Sequence, residues 1–427
     1  MLLSSWWSFR YMVVRRAIYM GLLLVAGVAS ANDWPKFRGP AENGHAPGAR
    51  LPVHWSETQN VTWRVPLSGE GWSSPVVADG RIWMTMAVPQ REEGPITGYS
   101  LRLVGLDART GAPLHDVEVF REDAATSPKI HAKNSHASPT PLVVGDRVYV
   151  HFGHEGPACI GAGGDIIWQN RSLRYAPVHG AGGTPILAGG RLIFSCDGAS
   201  DPLVAALDPR DGSIAWKTPR DVEASKTFSF ATATELEFEG VPQVVVPGSN
   251  VVMALDPRTG AELWRLRYDG YSVIPKPVYG HGLVYVCTGY NRPQLLAIRL
   301  GGRGDVTDSH LAWKVDRNVP HTPSLLLDGE NLFMVSDGGI ASCLDAVTGK
   351  VVWQERLGGN YSSSPVLNNG LLYFQSEDGT TSVVRASREF ARIATNAIGE
   401  RTLASFAVSG ATLFLRSDVH LYRIEER

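Results

Sequence analysis

The stretch Ala254-Leu255-Asp256-Pro257-Arg258-Thr259-Gly260-Ala261-Glu262-Leu263-Trp264 decides the fold. Asp256 is placed to bond the backbone N–H groups of a tight turn, and Gly260 to take its left-handed position. An apolar run of strand length ends at Leu255, and Trp264 opens another, so the stretch reads as a hairpin. It recurs. Ala206-Leu207-Asp208 leads to Gly212 and Trp216, and Cys343-Leu344-Asp345 leads to Gly349 and Trp353. A first copy, Gly105 to Gly111, keeps the turn but lacks the Trp, whereas Trp168 and Trp313 stand in copies that have lost the turn.

Working outward, each copy sits in a unit of four short apolar runs separated by turn residues. A lone four-stranded sheet cannot bury both faces. Stacking such sheets around an axis does so, and a large ring at each seam adds apolar area. Inner strands are expected to begin near Pro75, Pro141, Pro185, Ala233, Pro277, Pro323, Pro365 and Phe406. Residues 32–427 then divide into eight units of roughly 49 residues, a propeller spacing. The last unit offers only three runs, Leu403 to Val408, Thr412 to Arg416 and His420 to Glu425. Val61 to Val65, carrying Trp63, supplies its fourth strand and removes an exposed edge. The expected fold is all-β, an eight-bladed β-propeller of four-stranded antiparallel blades with the last blade closed by an N-terminal strand.

Before the ring, Arg10, Arg15 and Arg16 precede an apolar run from Ala17 to Val28, followed by Ala29-Ser30-Ala31. This reads as a signal peptide over residues 1–31. Residues 32–60 form an N-terminal extension expected to pack across one propeller face or the outer rim, and residues 61–427 form the propeller. No integral membrane span is expected after cleavage, and no cysteine near the site offers a lipid anchor. The protein is therefore expected in the periplasm or outside the cell, as a monomer. The 427 residues carry a net charge of −2, which gives no field for nucleic acid. The four cysteines are dispersed, without metal-ligand spacing, and read as buried thiols. Two insertions, Ala87 to Ser100 and Phe120 to Ala137, read as long loops, where binding function commonly sits.

The repeat Ala-Leu-Asp-x-x-Thr-Gly-x-x-x-Trp at Ala254 to Trp264 resembles that of the pyrroloquinoline-quinone-like propeller family, over nearly the whole chain after residue 31. The opening Asp33-Trp34-Pro35-Lys36-Phe37-Arg38-Gly39 looks like that of secreted members from planctomycete-type bacteria, named for similarity to the BamB assembly factor. The resemblance implies one of two roles. One is quinone-dependent dehydrogenation, which in such enzymes uses a vicinal disulfide and a calcium site of Glu, Asn and Asp. No Cys-Cys pair exists here and no such calcium set can be mapped, so no cofactor is expected and PQQ with calcium is disfavoured. The other is scaffolding, with loops contacting a partner; assembly factors of that type are lipoproteins, and the lipidation Cys is absent.

The channel mouth is the place to look for a site. Positions just before each inner strand bring together His136, His179, Lys226, Tyr271, Lys276, Arg317, His321, Tyr361 and Arg401, a set with a cationic lean suited to a carboxylate, a sulfate or a sugar. His131, His136, His151, His154 and His179 cluster within two successive units, although no metal-binding spacing links them. Arg303-Gly304-Asp305 is an incidental tripeptide in a polar loop. The leading expectation is an exported, non-catalytic binding or scaffold propeller, envelope-assembly-like or saccharide-associated, with a protein or saccharide partner at one face. The alternative is a carbohydrate-active lyase or hydrolase with a His/Tyr/Arg site at the channel mouth.

Overall fold

The computed structural model describes residues 33–91 and 94–426; residues 1–31, read as the signal peptide, lie outside the described residues. Eight sheets ring an axis, and each runs strand to strand from the axis outward. The inner strands are Val76–Ala78, Leu142–Val144, Ile186–Ala188, Thr234–Phe238, Val278–Gly280, Leu326–Asp328, Val366–Asn368 and Ala407–Ser409. The last blade is completed by Val61–Pro66, which pairs antiparallel with His420–Ile424. Thus the all-β, eight-bladed propeller closed by an N-terminal strand is what forms. The fourth blade departs from four strands: Gly304–Asp305, read as loop, adds a short parallel edge against Trp264 and Arg265.

The repeated turn works as its residues require. Asp256 Oδ1 accepts the N–H of Thr259 at 2.9 Å and its hydroxyl at 3.0 Å. Gly260 has φ 73°, and its N–H donates to the Asp256 carbonyl. The register then slips by one residue between Ala254 and Leu255. This is the bulge that a left-handed glycine leaves after a tight turn.

Tryptophan and glycine are coupled across the seams. A Cβ on Gly260 would lie 2.6 Å from the indole of Trp216, the tryptophan of the preceding blade. Gly212 faces Trp168 and Gly349 faces Trp313 in the same way. The indole N–H of Trp216 donates to the Pro257 carbonyl of the next blade's turn at 3.2 Å. Trp63, carried on the closing strand, repeats this on the first blade: its N–H reaches the Arg109 carbonyl at 3.0 Å, and Gly111 lies under its ring. The ring therefore closes through the same kind of seam that joins the second to the third, the third to the fourth and the fifth to the sixth blade.

A belt of side-chain hydroxyls circles the axis at the head of the inner strands. Each backbone N–H donates to the hydroxyl of the equivalent residue in the next blade: Ser74 to Thr140, Thr140 to Thr184, and Thr184 to Thr232. The series resumes from Lys276 to Ser324, Ser324 to Ser364, Ser364 to Ser405 and Ser405 to Ser74. It is interrupted only between Thr232 and Lys276, because an ammonium cannot accept.

Three expectations are corrected. The belt residue of the sixth blade is Ser324, so its inner strand starts at Leu326, three residues after Pro323 and not one. The insertion Ala87 to Ser100 is not a loop: strands Arg81–Arg91 and Ile96–Asp107 stay paired from Arg81 and Asp107 outward to Arg91 and Ile96. The extension from Asp33 packs across the ring only in its later part, where Leu51 and Trp55 bond Asn368 and Asn396 on the inner and outer strands of the seventh blade; its first part does not. Trp34 bridges to Val77, and His45 to Leu367, both on inner strands, so this segment enters the channel from the end opposite the belt. The four cysteines are buried free thiols, as expected.

Candidate functional site

With one end occupied by the N-terminal segment, the channel is a funnel open at the other. Its cavity is about 770 Å³, with Phe37 of that segment reaching its base. Two rings of side chains form its lower wall. The first is the belt, of which all members but Lys276 line the cavity. The second lies two residues earlier in every blade: Trp72, Ser138, Gly182, Phe230, Ile274, Thr322, Ser362 and Leu403. Extended backbone explains the pairing of rings, since side chains two apart point the same way. The belt hydroxyls accept backbone N–H groups, but among the described residues none donates its own proton to a protein atom.

Above these rings the wall divides by chemistry. On one side six rings form an arc: His131, His179, Phe228, Tyr271, Tyr290 and His321. Successive centroids lie 5.6, 5.4, 5.7, 5.8 and 5.5 Å apart, each pair edge to face. Such contacts fix the rings without help from the ligand. His179 has φ 67°, an uncommon conformation for a side chain of its size. Its carbonyl accepts from Asn134 Nδ2 at 2.8 Å, which anchors the turn. Burial, with His131, Lys129 and Lys226 adding to it, pushes the His179 imidazole below its ordinary value. Lys226 Nζ stands 4.2 Å over the Tyr271 ring centre and 2.9 Å from its hydroxyl.

The other side holds acids already engaged. Asp337 accepts the N–H groups of His321 and Thr322 at 2.8 and 3.1 Å, and the Thr322 hydroxyl at 2.8 Å. Glu377 accepts the Ser362 hydroxyl at 2.6 Å. Lys133 Nζ lies 2.7 Å from Glu377 and 3.9 Å from Asp337, an internal cation between the two carboxylates. Lys226, in contrast, has no carboxylate within ion-pair distance among the described residues.

The residues chosen from sequence scatter. His179, Lys226, Tyr271 and His321 line the funnel. Arg401 lies beside it, over Trp72 at 5.3 Å, with a bond of 2.7 Å to the Ala132 carbonyl. His136 is buried behind the wall, bonded to Glu122 at 2.8 Å and stacked on Tyr99. Tyr361 is in the core between the sixth and seventh blades, its phenol pushed up to about 12 by burial. Lys276 points away from the mouth and binds Glu42 and the Ala233 carbonyl. Arg317 is exposed outside the cavity, a consequence of the two-residue register error at Pro323. Counting five and six residues back from the proline passed over the second ring, which lies three before it. Period-two alternation back from the Ser or Thr that precedes Pro141, Ala233 and Pro365 would have found Ser138, Phe230 and Ser362. Phe228, Tyr290, Lys133 and Asp337 had no signal in the repeat.

The comparisons agree with this architecture. The family model described as outer membrane protein assembly factor BamB matches residues 48–198, 200–323 and 304–394. No curated protein matches. Among solved structures, BamB from Moraxella catarrhalis aligns at TM-score 0.56 and 16% identity, over 85% of this chain and 99% of that one. A quinohemoprotein alcohol dehydrogenase from Comamonas testosteroni aligns at TM-score 0.64 and 11% identity, over 93% of this chain and 81% of that one. A europium-containing methanol dehydrogenase aligns at 0.62 and 11%, over 92% and 91%. At these identities the structural likeness speaks to the fold alone. The repeat match spans most of the sequence and the propeller is built as that repeat requires: the chain belongs to the PQQ-like repeat family of the outer membrane protein assembly factor BamB.

Proposed function

We propose that this is an exported, non-catalytic binding propeller that meets its partner at the open end of the funnel, in the periplasm or outside the cell. The aromatic arc carries the reading: six rings held edge to face around one side of a preformed cavity make a ready contact surface. The family description and the basic-apolar-small N-terminus favour an envelope setting. Among the described residues no helix is long and apolar enough to cross a membrane.

The residues present do not fit a metal–quinone pair. None of the four cysteines lines the cavity, and no group of three metal-ligating side chains occurs among the described residues. Lys133 stands where a cation would bridge Asp337 and Glu377. Those carboxylates are also bonded to their own wall, which weakens the case for an acid–base pair and favours binding over catalysis.

Site-specific photo-crosslinking tests the reading. A reactive residue replacing Tyr290, on the funnel lip, is expected to capture an envelope component. One replacing Val347, in a turn at the opposite end of its blade, is expected to capture nothing. Equal labelling from both positions would sink the proposal.

A further inference from the structure

We propose that the funnel is a saccharide site that selects acidic sugars, and that Lys226 meets the sugar's anionic group. This rests on the funnel being the contact surface, and adds the chemical class of what it holds.

A census of polar groups facing the cavity makes the case. The one carboxylate among the described residues that line the cavity, Asp337, is engaged: its oxygens hold the N–H groups of His321 and Thr322 and the Thr322 hydroxyl, while Glu377, outside the lining, takes Ser362 and Lys133 on Oε1. The donors are not engaged. The belt hydroxyls on the floor accept a backbone N–H each and keep a proton to give. Lys226 brings a positive charge with no acid beside it. A lumen with free hydroxyl protons, a lysine without an acid and an engaged carboxylate is matched by a ligand rich in oxygen acceptors and negatively charged.

The arc supplies the second half. Aromatic rings cover the C–H face of a pyranose while its oxygens turn to polar groups, so one wall of rings facing one polar wall suits a sugar ring. Lys226 is held at the arc itself, above Tyr271, where a carboxylate or sulfate on a stacked sugar would meet it. His179, edge to face with His131 and Phe228 and its imidazole held below its ordinary value by burial, serves the arc as a ring. A neutral sugar would leave Lys226 desolvated without return, which discriminates against it.

Isothermal titration of the intact protein decides the matter. Trigalacturonate, its methyl ester and a sulfated galactose trisaccharide are titrated at low and at physiological salt. At least one of the two acids is expected to bind about tenfold more tightly than the neutral ester, and to weaken as salt rises. The stronger of the two identifies the anion as carboxylate or sulfate. Lys226→Gln is expected to abolish that tenfold preference while leaving Tm unchanged, because Lys226 is exposed, and Lys226→Arg to keep it. Equal affinity for acid and ester, or no heat from any of the three, overturns the inference. Crosslinking confined to Tyr290 together with no acid preference would defeat this inference alone; indiscriminate crosslinking would remove the reading beneath it.

Discussion

Lys276 Nζ is paired at 2.7 Å with Glu42, a residue 234 positions earlier in the chain. Lys276 occupies the belt position that a Ser or Thr holds in the other seven blades, and Glu42 belongs to the segment that enters the channel. Lys36 also reaches Glu42, at 2.6 Å. The one gap in the hydroxyl belt is therefore where the N-terminal segment is tied to the ring.

Removing Glu42 is expected to leave a buried ammonium without its counter-charge. Glu42→Gln should destabilise the protein by about 3 kcal/mol in chemical denaturation. Lys276→Ser, which restores a belt hydroxyl, should recover most of that loss in the double variant. Additive effects would show that the two side chains do not act as a pair. Burial pushes the Glu42 carboxyl up, but Lys276 and Lys36 more than reverse this and hold it below its usual range. The stability it contributes is present above the ordinary carboxylate value and is lost as pH falls through the depressed one.

His151 gives a second acid-sensitive contribution. Burial lowers its imidazole from 6.5 to about 4, and Nε2 has no hydrogen-bond partner. The unfolded chain takes up this proton first, so stability should fall as pH drops from 6.5 and level off near 4, where the folded state is protonated too. The full effect is on the order of 3 kcal/mol. His151→Phe should flatten the stability profile between those limits, measured as denaturation midpoint against pH. An unchanged slope would assign the acid limb to other groups.

Two glycines with the same backbone conformation should differ in cost. Gly80 and Gly260 have φ 72° and 73°. A Cβ on Gly80 meets nothing within 4 Å, whereas one on Gly260 lies 2.6 Å from Trp216. Gly80→Ala should cost about 1 kcal/mol of left-handed strain. Gly260→Ala should cost about 3 kcal/mol, because the indole must also move. Equal losses would mean that the seam has room to yield.

Arg416 closes the ring from within. It is fully buried in the last blade, and its Nη1 donates to the Ser73 carbonyl at 2.9 Å, the Ser73 hydroxyl at 2.6 Å and the Thr85 carbonyl at 3.2 Å, all in or beside the first blade. Arg416→Met should strip these acceptors of their donor and cost about 2 kcal/mol. Limited proteolysis should then cut at the strand Val61–Pro66 before other sites. Cleavage spread evenly over the blades would argue against a closure role.

Much of this was legible in the chain. The recurring turn, the tryptophan after it and the short last unit required eight blades and a closing strand, because each is a local signal repeated at a fixed spacing. The site was less legible. His179, Lys226, Tyr271 and His321 fell within the right connections, but His136 and Tyr361, a few residues from the same landmarks, turned into the core. Beyond the two rings nearest each inner strand these connections have neither pleat nor helix, so the facing of more distant residues cannot be counted. Arg317 was misplaced because Thr322-Pro323 imitates the belt motif two residues before the true belt residue, Ser324.

The sequence by itself determined the blades, their number and their seams, since turn chemistry and apolar spacing act between neighbours. Only the tertiary structure decided what the channel contains. The pairing of Glu42 with Lys276, the arc from His131 to His321 and the placing of Lys133 beside Asp337 and Glu377 join residues far apart in the chain. Closing the ring sets those distances, and no local pattern in the chain encodes them.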